Sequence, residues 1–193
     1  MIKPFLTVFP LPSLSSSSIN QTYEVGSTAV LECSSFGGPN NAFQWQLNGL
    51  DIIGETQSTL TLPNVQASTG GMYTCVVTNA AGSDDISTFL YVSPYFINQP
   101  MDTQASNGTP ATLLCEAGAF PSPEYQWGRV DGEHVRGGIA TDGTLFSFNP
   151  VMFGDEGEYY CTVSVSALES SIRSQAVLSG KIYVSHFGTH DYY

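Results

Sequence analysis

Apolar and polar positions alternate with a period of two at several points along this chain, and the same alternation occurs twice. Ala29, Leu31 and Cys33 alternate inward, and Ala111, Leu113 and Cys115 repeat the arrangement. That is the signature of a half-buried strand. Seven positions before each of these cysteines stands a glycine, Gly26 or Gly108, suited to a turn into the strand. Further on, Leu60, Leu62 and Val65 match Phe146, Phe148 and Val151 in spacing, and Tyr73 and Tyr159 each precede a second cysteine by two positions. Glycine, proline and threonine interrupt every stretch that might otherwise carry a helical stripe, so the pattern predicts many short strands and turns.

The cysteines and tryptophans give this repeat its frame. Cys33 to Trp45 and Cys115 to Trp127 are each 12 positions, and Cys75 and Cys161 close the halves after 42 and 46 positions. Four cysteines allow three pairings in general, and the repeat selects Cys33 with Cys75 and Cys115 with Cys161. The leading segments also correspond, Pro4 to Pro10 mirroring Pro94 to Pro100 around a short apolar run. The first of these is therefore expected to be the opening strand, with Ser13–Ser18 a polar insertion after it. A last strand ending near Tyr91 and Val92 divides the chain into domains at 1–93 and 94–185, with a frayed tail at 186–193.

Cysteine, tryptophan, then tyrosine-x-cysteine resembles the immunoglobulin superfamily over nearly the whole chain. The resemblance implies an all-β fold, two tandem immunoglobulin-like antiparallel β-sandwiches with Greek-key connections. In each, Trp45 or Trp127 would pack on the disulfide, and Tyr73 or Tyr159 would close a corner hydrogen bond. Asp155-Glu-Gly-Glu-Tyr-Tyr-Cys161 carries the family's D-x-G-x-Y-x-C run, whereas Thr69 occupies the acidic position in the first half. The ion pair usually made by that acid is expected for Asp155, with Arg136 as its partner. The spacing from tryptophan to closing cysteine leaves little room for extra edge strands. Asn79-x-x-Gly82 is similar to the F–G hairpin of intermediate-set domains, and Val163 to Val184 reads as a longer F–G connection in the second half.

Charge narrows the function classes. The chain carries a net charge of −12, with 17 acidic and 5 basic side chains, and no Lys or Arg lies between Asn20 and Ser93. Nucleic acid, heparin and anionic membranes are all gripped through cations and are disfavoured as partners. No apolar stretch reaches the roughly 20 residues of a membrane span. A disulfide closing a loop of about 40 residues contributes roughly 3–4 kcal/mol, which requires an oxidising compartment and so points outside the cell. The expectation is part of a single-pass membrane protein whose signal and anchor lie outside this sequence. Asn20-Gln-Thr22 and Asn107-Gly-Thr109 are candidate glycosylation sites.

Candidate chemistry is sparse. No nucleophile, metal or phosphate motif is present, so neither catalysis nor a cofactor is expected. His186 and His190 have ligand-like spacing beside Asp191, but a frayed tail cannot preorganise a metal site. Recognition is the alternative use of an aromatic-rich sandwich with loops at its ends. Phe36 and Phe43 flank the Gly37–Asn41 loop, and Asn79, Asp84 and Asp85 belong to the F–G region; these are the candidate binding residues. The resemblance extends to ectodomains of cell-adhesion molecules and of receptor tyrosine kinases, including those of early-branching animals. It implies a protein ligand or homophilic self-association, any kinase lying in an intracellular part not present here. The rival readings are a structural spacer of a muscle or matrix protein, and a secreted immune-type effector.

Overall fold

The computed structural model describes residues 10–16, 20–140 and 142–180. Two compact units divide the chain, the first running through Tyr95 and the second taking most of the chain from Phe96 onward. Both are built from antiparallel strands whose buried positions alternate with exposed ones, as a sheet with one wet face requires.

In the first unit, β1 (Ser13–Ser16) and β2 (Gln21–Tyr23) precede β3 (Ala29–Phe36), β4 (Ala42–Leu47), β5 (Leu50–Asp51) and β6 (Thr59–Leu62). A 3-10 turn, Ala67–Thr69, leads into β7 (Gly71–Asn79) and the long β8 (Gly82–Asn98). One sheet has the order β1-β3-β6; in the other, β8, β7, β4 and β5 are neighbours, and β2 adds to β8 in parallel. The strand β1 corrects one expectation. Ser13–Ser16 is not an insertion but an edge strand, paired antiparallel with β3 from Ser13↔Phe36 to Ser16↔Cys33. Its serines carry no strand pattern because an edge strand is held by backbone hydrogen bonds and needs little apolar alternation. The Pro4–Pro10 strand, apart from Pro10, lies outside the described residues.

The second unit repeats the plan. β9 (Thr103–Gln104), β10 (Ala111–Leu114), β11 (Glu116–Phe120) and β12 (Glu124–Arg129) are followed by β13 (Gly138–Ile139) and β14 (Leu145–Phe148). β15 (Gly157–Val165) and β16 (Ser170–Ser179) close it. The sheets are β10-β14-β13 and β12-β15-β16-β9, the last contact again parallel. The longer F–G connection expected over Val163 to Val184 is not found. β15 continues to Val165 and β16 begins at Ser170, so only Ser166–Glu169 links them, with Glu169 in the left-handed region at φ 49°.

Each unit encloses its own core. Trp45 shares one buried cluster with the Cys33–Cys75 bond, Leu31, Leu60, Tyr73, Val77 and Leu90. In the second unit Cys115 and Cys161 are joined, and Trp127 lies in a cluster with Phe146, Phe148 and Tyr159. There Phe148 meets Tyr159 and Phe146 edge-on, at ring-centre distances of 5.3 and 4.9 Å. Such pairs add about 0.5–1.5 kcal/mol beyond the burial of their area. Both tryptophans satisfy their indole N–H within the core, Trp45 on the carbonyl of Gln57 and Trp127 on that of Gly143.

Candidate functional site

The end of the first unit formed by the β3–β4 loop and the β7–β8 hairpin carries most of the candidate binding residues. Asn79 organises it. Its amide nitrogen donates to the carbonyl of Pro10 at 3.1 Å and to Oδ1 of Asn41 at 3.3 Å, while its own Oδ1 accepts the amide of Ala81 at 2.8 Å. Asn41 in turn donates to Ser35 Oγ and to the carbonyl of Gly37. Gly38, at φ 62°, passes so close that an added Cβ would lie 2.7 Å from the Asn79 amide nitrogen. One side chain thus ties the N-terminal segment, the β3–β4 loop and the hairpin turn together.

On this fixed frame two apolar side chains face water. Phe36 is 65% exposed at the end of β3, and Leu11 is 61% exposed. Phe43 differs: it points inward on β4 and packs, half-buried, against the core. Asp84 is also structural, since its Oδ2 accepts the amide of Leu14 at 3.0 Å and its Oδ1 that of Asp85. Asp85 itself is exposed on β8. Among the five candidate binding residues, then, Phe36 and Asp85 are free to touch a partner, and Asn79, Asp84 and Phe43 shape the surface. Asn20 and Asn107 are both exposed; Asn20 Oδ1 accepts the amide of Phe89, and Asn107 stands in the turn before Gly108.

The corner of each unit places the remaining motif residues. Tyr73 donates its hydroxyl to the carbonyl of Thr69 and Tyr159 to that of Asp155, both at 2.7 Å. Burial pushes both phenols above their ordinary pKa, the opposing pull of Arg129 on Tyr159 being smaller. Asp155 is 3% exposed, and its Oδ2 accepts the amide of Met152 at 2.7 Å. Thr69 does the same work in the first unit, its Oγ1 accepting the amide of Gln66 at 3.0 Å. The residue before the tyrosine corner is therefore an acceptor for the amide three positions back, and Thr supplies that acceptor as Asp does.

The ion pair expected between Asp155 and Arg136 is absent among the described residues. The cation at this corner is Arg129, which donates to the carbonyls of Gly154 at 2.7 Å and Glu156 at 3.1 Å and pairs with Asp131 at 2.7 Å. The Asp131 hydrogen bond raises the guanidinium's pKa, and the same bond holds the Asp131 carboxyl below the usual carboxylate range. A second arrangement not foreseen lies on the outer face of the second unit. Arg173 stacks over the ring of Tyr160, 3.6 Å from its centre, and Tyr160 crosses Gly128, where an added Cβ would meet the ring. Period-two alternation from buried Tyr159 puts Tyr160 outside, which is the one sequence signal for this face.

No group of three or more His, Cys, Asp or Glu among the described residues is placed to hold a metal ion. His186, His190 and Asp191 lie outside the described residues. Among those residues no helix is long and apolar enough to cross a membrane.

A family model described as the immunoglobulin domain matches residues 12–79 and again 93–164. The chain belongs to that family. Immunoglobulin-domain relatives include mouse (Mus musculus) hemicentin-2, 28% identical over 180 residues, which cover 88% of this chain and 4% of that protein. Human (Homo sapiens) leucine-rich repeats and immunoglobulin-like domains protein 3 is 28% identical over 179 residues, covering 84% of this chain and 16% of that one. The chain thus spans a small part of the length of the curated relatives it matches. Among solved structures, the N-terminal four immunoglobulin domains of Dscam1 align with a TM-score of 0.62 at 22% identity, over 93% of this chain and 47% of that one. The immunoglobulin fold of both units is thereby established.

Proposed function

We propose that this tandem of immunoglobulin domains is an extracellular protein-recognition module whose contact surface is the β3–β4 and β7–β8 end of the first domain. The domains would span 1–93 and 94–185, each closed by its disulfide, Cys33–Cys75 and Cys115–Cys161. The observation that carries this reading is Phe36. A side chain of that size, 65% exposed on a loop end fixed by Asn79, has the character of an aromatic anchor. The two disulfides fit an oxidising compartment. The exposed Asn20 and Asn107 fit glycosylation there. The partner is a protein, because a surface with net charge −12 repels polyanions. The longer protein would be a cell-surface receptor or adhesion molecule, the receptor tyrosine kinase type included.

The test is binding of the tetramerised, disulfide-bonded chain to a panel of extracellular protein domains and to intact cells. Phe36→Asp is expected to abolish any specific signal, while Ile139→Asp, an exposed apolar change on the second domain, leaves it intact. A signal indifferent to Phe36→Asp would overturn the assignment of this surface.

A further inference from the structure

The two domains differ at one sheet edge. In the second domain β14 is covered: Ser147 pairs with Gly138 of β13, and the carbonyl of Leu145 accepts the amide of Ala140 at 2.9 Å. The equivalent residues of the first domain, counted back from the closing cysteine, are Thr61 and Thr59 on β6. There the connection from tryptophan is four residues shorter, 59 − 45 = 14 against 145 − 127 = 18. Beyond β4, the strand it holds among the described residues is β5, which pairs with β4 and not with β6, so β6 is the last member of its sheet.

The hydrogen-bond phase shows which groups are left over. Cys33 donates its amide to the carbonyl of Ser58 at 2.8 Å, and the register runs on through Leu31↔Leu60 and Ala29↔Leu62. Ser58, Leu60 and Leu62 therefore direct their backbone groups at β3, and by alternation Thr59 and Thr61 direct theirs outward. Among the described residues nothing answers these two N–H and two C=O groups. Of the devices that usually blunt such an edge, β6 has its shortness and Pro63 just past its end; within Thr-Leu-Thr-Leu there is no lysine, no proline and no bulge.

We propose that the β6 edge is a self-docking strip, where two copies of this chain pair antiparallel about Leu60. Thr59 of one copy then lies opposite Thr61 of the second copy, and the reverse. Both residues point their backbone groups outward, so each pair exchanges two bonds, four in all. Two three-stranded sheets become one of six. Charge selects a second copy as the occupant. Copies bearing −12 repel one another over most of their surface, but no charged residue occurs from Thr56 to Ser83. The strip belongs to the longest uncharged run of the chain, so two copies can meet there without like charges facing. Glu32, the nearest carboxylate in the sheet, is opposite Thr59 on β3, one strand behind the join. This inference specifies a self-binding mode for the recognition reading and rests on its extracellular setting.

The experiment is sedimentation velocity on the full disulfide-bonded chain, from micromolar to near-millimolar concentration, with Thr61→Pro, Thr59→Glu/Thr61→Glu and a control, Thr112→Glu. Thr112 is exposed on β10. Proline at 61 removes an outward N–H that the domain does not use, and the double variant sets four carboxylates against each other across the join. Wild type and the control are expected to form a dimer. Both edge variants should raise its dissociation constant at least about tenfold, and the amides of Thr59 and Thr61 should gain hydrogen-exchange protection in the wild-type dimer. If Thr61→Pro does not fold, the double variant carries the test. A wild-type chain monomeric at every concentration, or a dimer indifferent to the folded edge variants, overturns the proposal. Neither result touches the Phe36 surface, whose failure is read separately from ligand binding by Phe36→Asp.

Discussion

Replacing Asp155 separates two accounts of why an acid stands before the tyrosine corner. Its carboxylate is 3% exposed and holds the Met152 amide at 2.7 Å, with no cation bonded to it among the described residues. Asp155→Ala removes a hydrogen bond to a charged group, a loss of about 2 kcal/mol. For a domain of this size that lowers the melting temperature by about 8–16 °C. Asp155→Thr installs the solution seen in the first domain, where Thr69 Oγ1 holds the Gln66 amide at 3.0 Å. A neutral acceptor is roughly half as strong, so about half of the loss should be recovered. The assay is thermal and guanidinium unfolding in a Trp45→Phe background, leaving Trp127 as the reporter of the second domain. Equal destabilisation by Ala and Thr would refute the capping account. So would an Asp155→Ala effect that vanishes at about 1 M salt, where exposed ion pairs are screened.

Two further outcomes follow from buried hydroxyls. Thr88 is 6% exposed and its Oγ1 has no hydrogen-bond partner among the described residues, so Thr88→Val should stabilise the first domain by about 1 kcal/mol, read from the Trp45 signal in a Trp127→Phe background; a loss of stability would show that the hydroxyl is answered. Tyr73 and Tyr159 have phenols raised by burial, so the folded chain holds their protons to higher pH than the unfolded one. Stability from this source is complete below the ordinary phenol pKa of about 10 and falls as pH rises through the folded values. Tyr73→Phe and Tyr159→Phe should flatten that alkaline decline, measured as unfolding free energy against pH, and an unchanged slope would contradict it.

The frame of the fold was readable from residues because it rests on side chains that must be large, buried and evenly spaced. Cys33, Trp45, Tyr73 and Cys75 state it, and their counterparts to Cys161 restate it. What escaped was held by backbone or by shape. β1 is Ser-Leu-Ser-Ser, fixed by ladder bonds to β3. Nothing in the sequence marks Arg129 over Arg136, because the groups Arg129 holds include carbonyls, which no residue type announces. Asn79 and Asp84 carry the chemistry of contact residues, yet their polar groups are engaged by Pro10, Asn41, Ala81 and Leu14. Sequence gave no means of telling an Asn that greets a partner from one that fastens a loop. The bare edge at β6 is a difference of four residues in one connection, visible only once the two halves are counted against each other.

The parallel pairing of β2 with β8, from Gln21↔Leu90 to Tyr23↔Val92, has a mechanical meaning. β2 enters the first domain early in the chain and β8 late, so tension drawn along the polypeptide pulls them in opposite directions along their common axis. The bonds between them are loaded in shear and must yield together, whereas an antiparallel end would peel one bond at a time. β9 and β16 repeat the geometry in the second domain. Each domain therefore meets a pulling force with a small group of bonds acting in unison, and its resistance depends on the direction of the load as much as on its stability at rest.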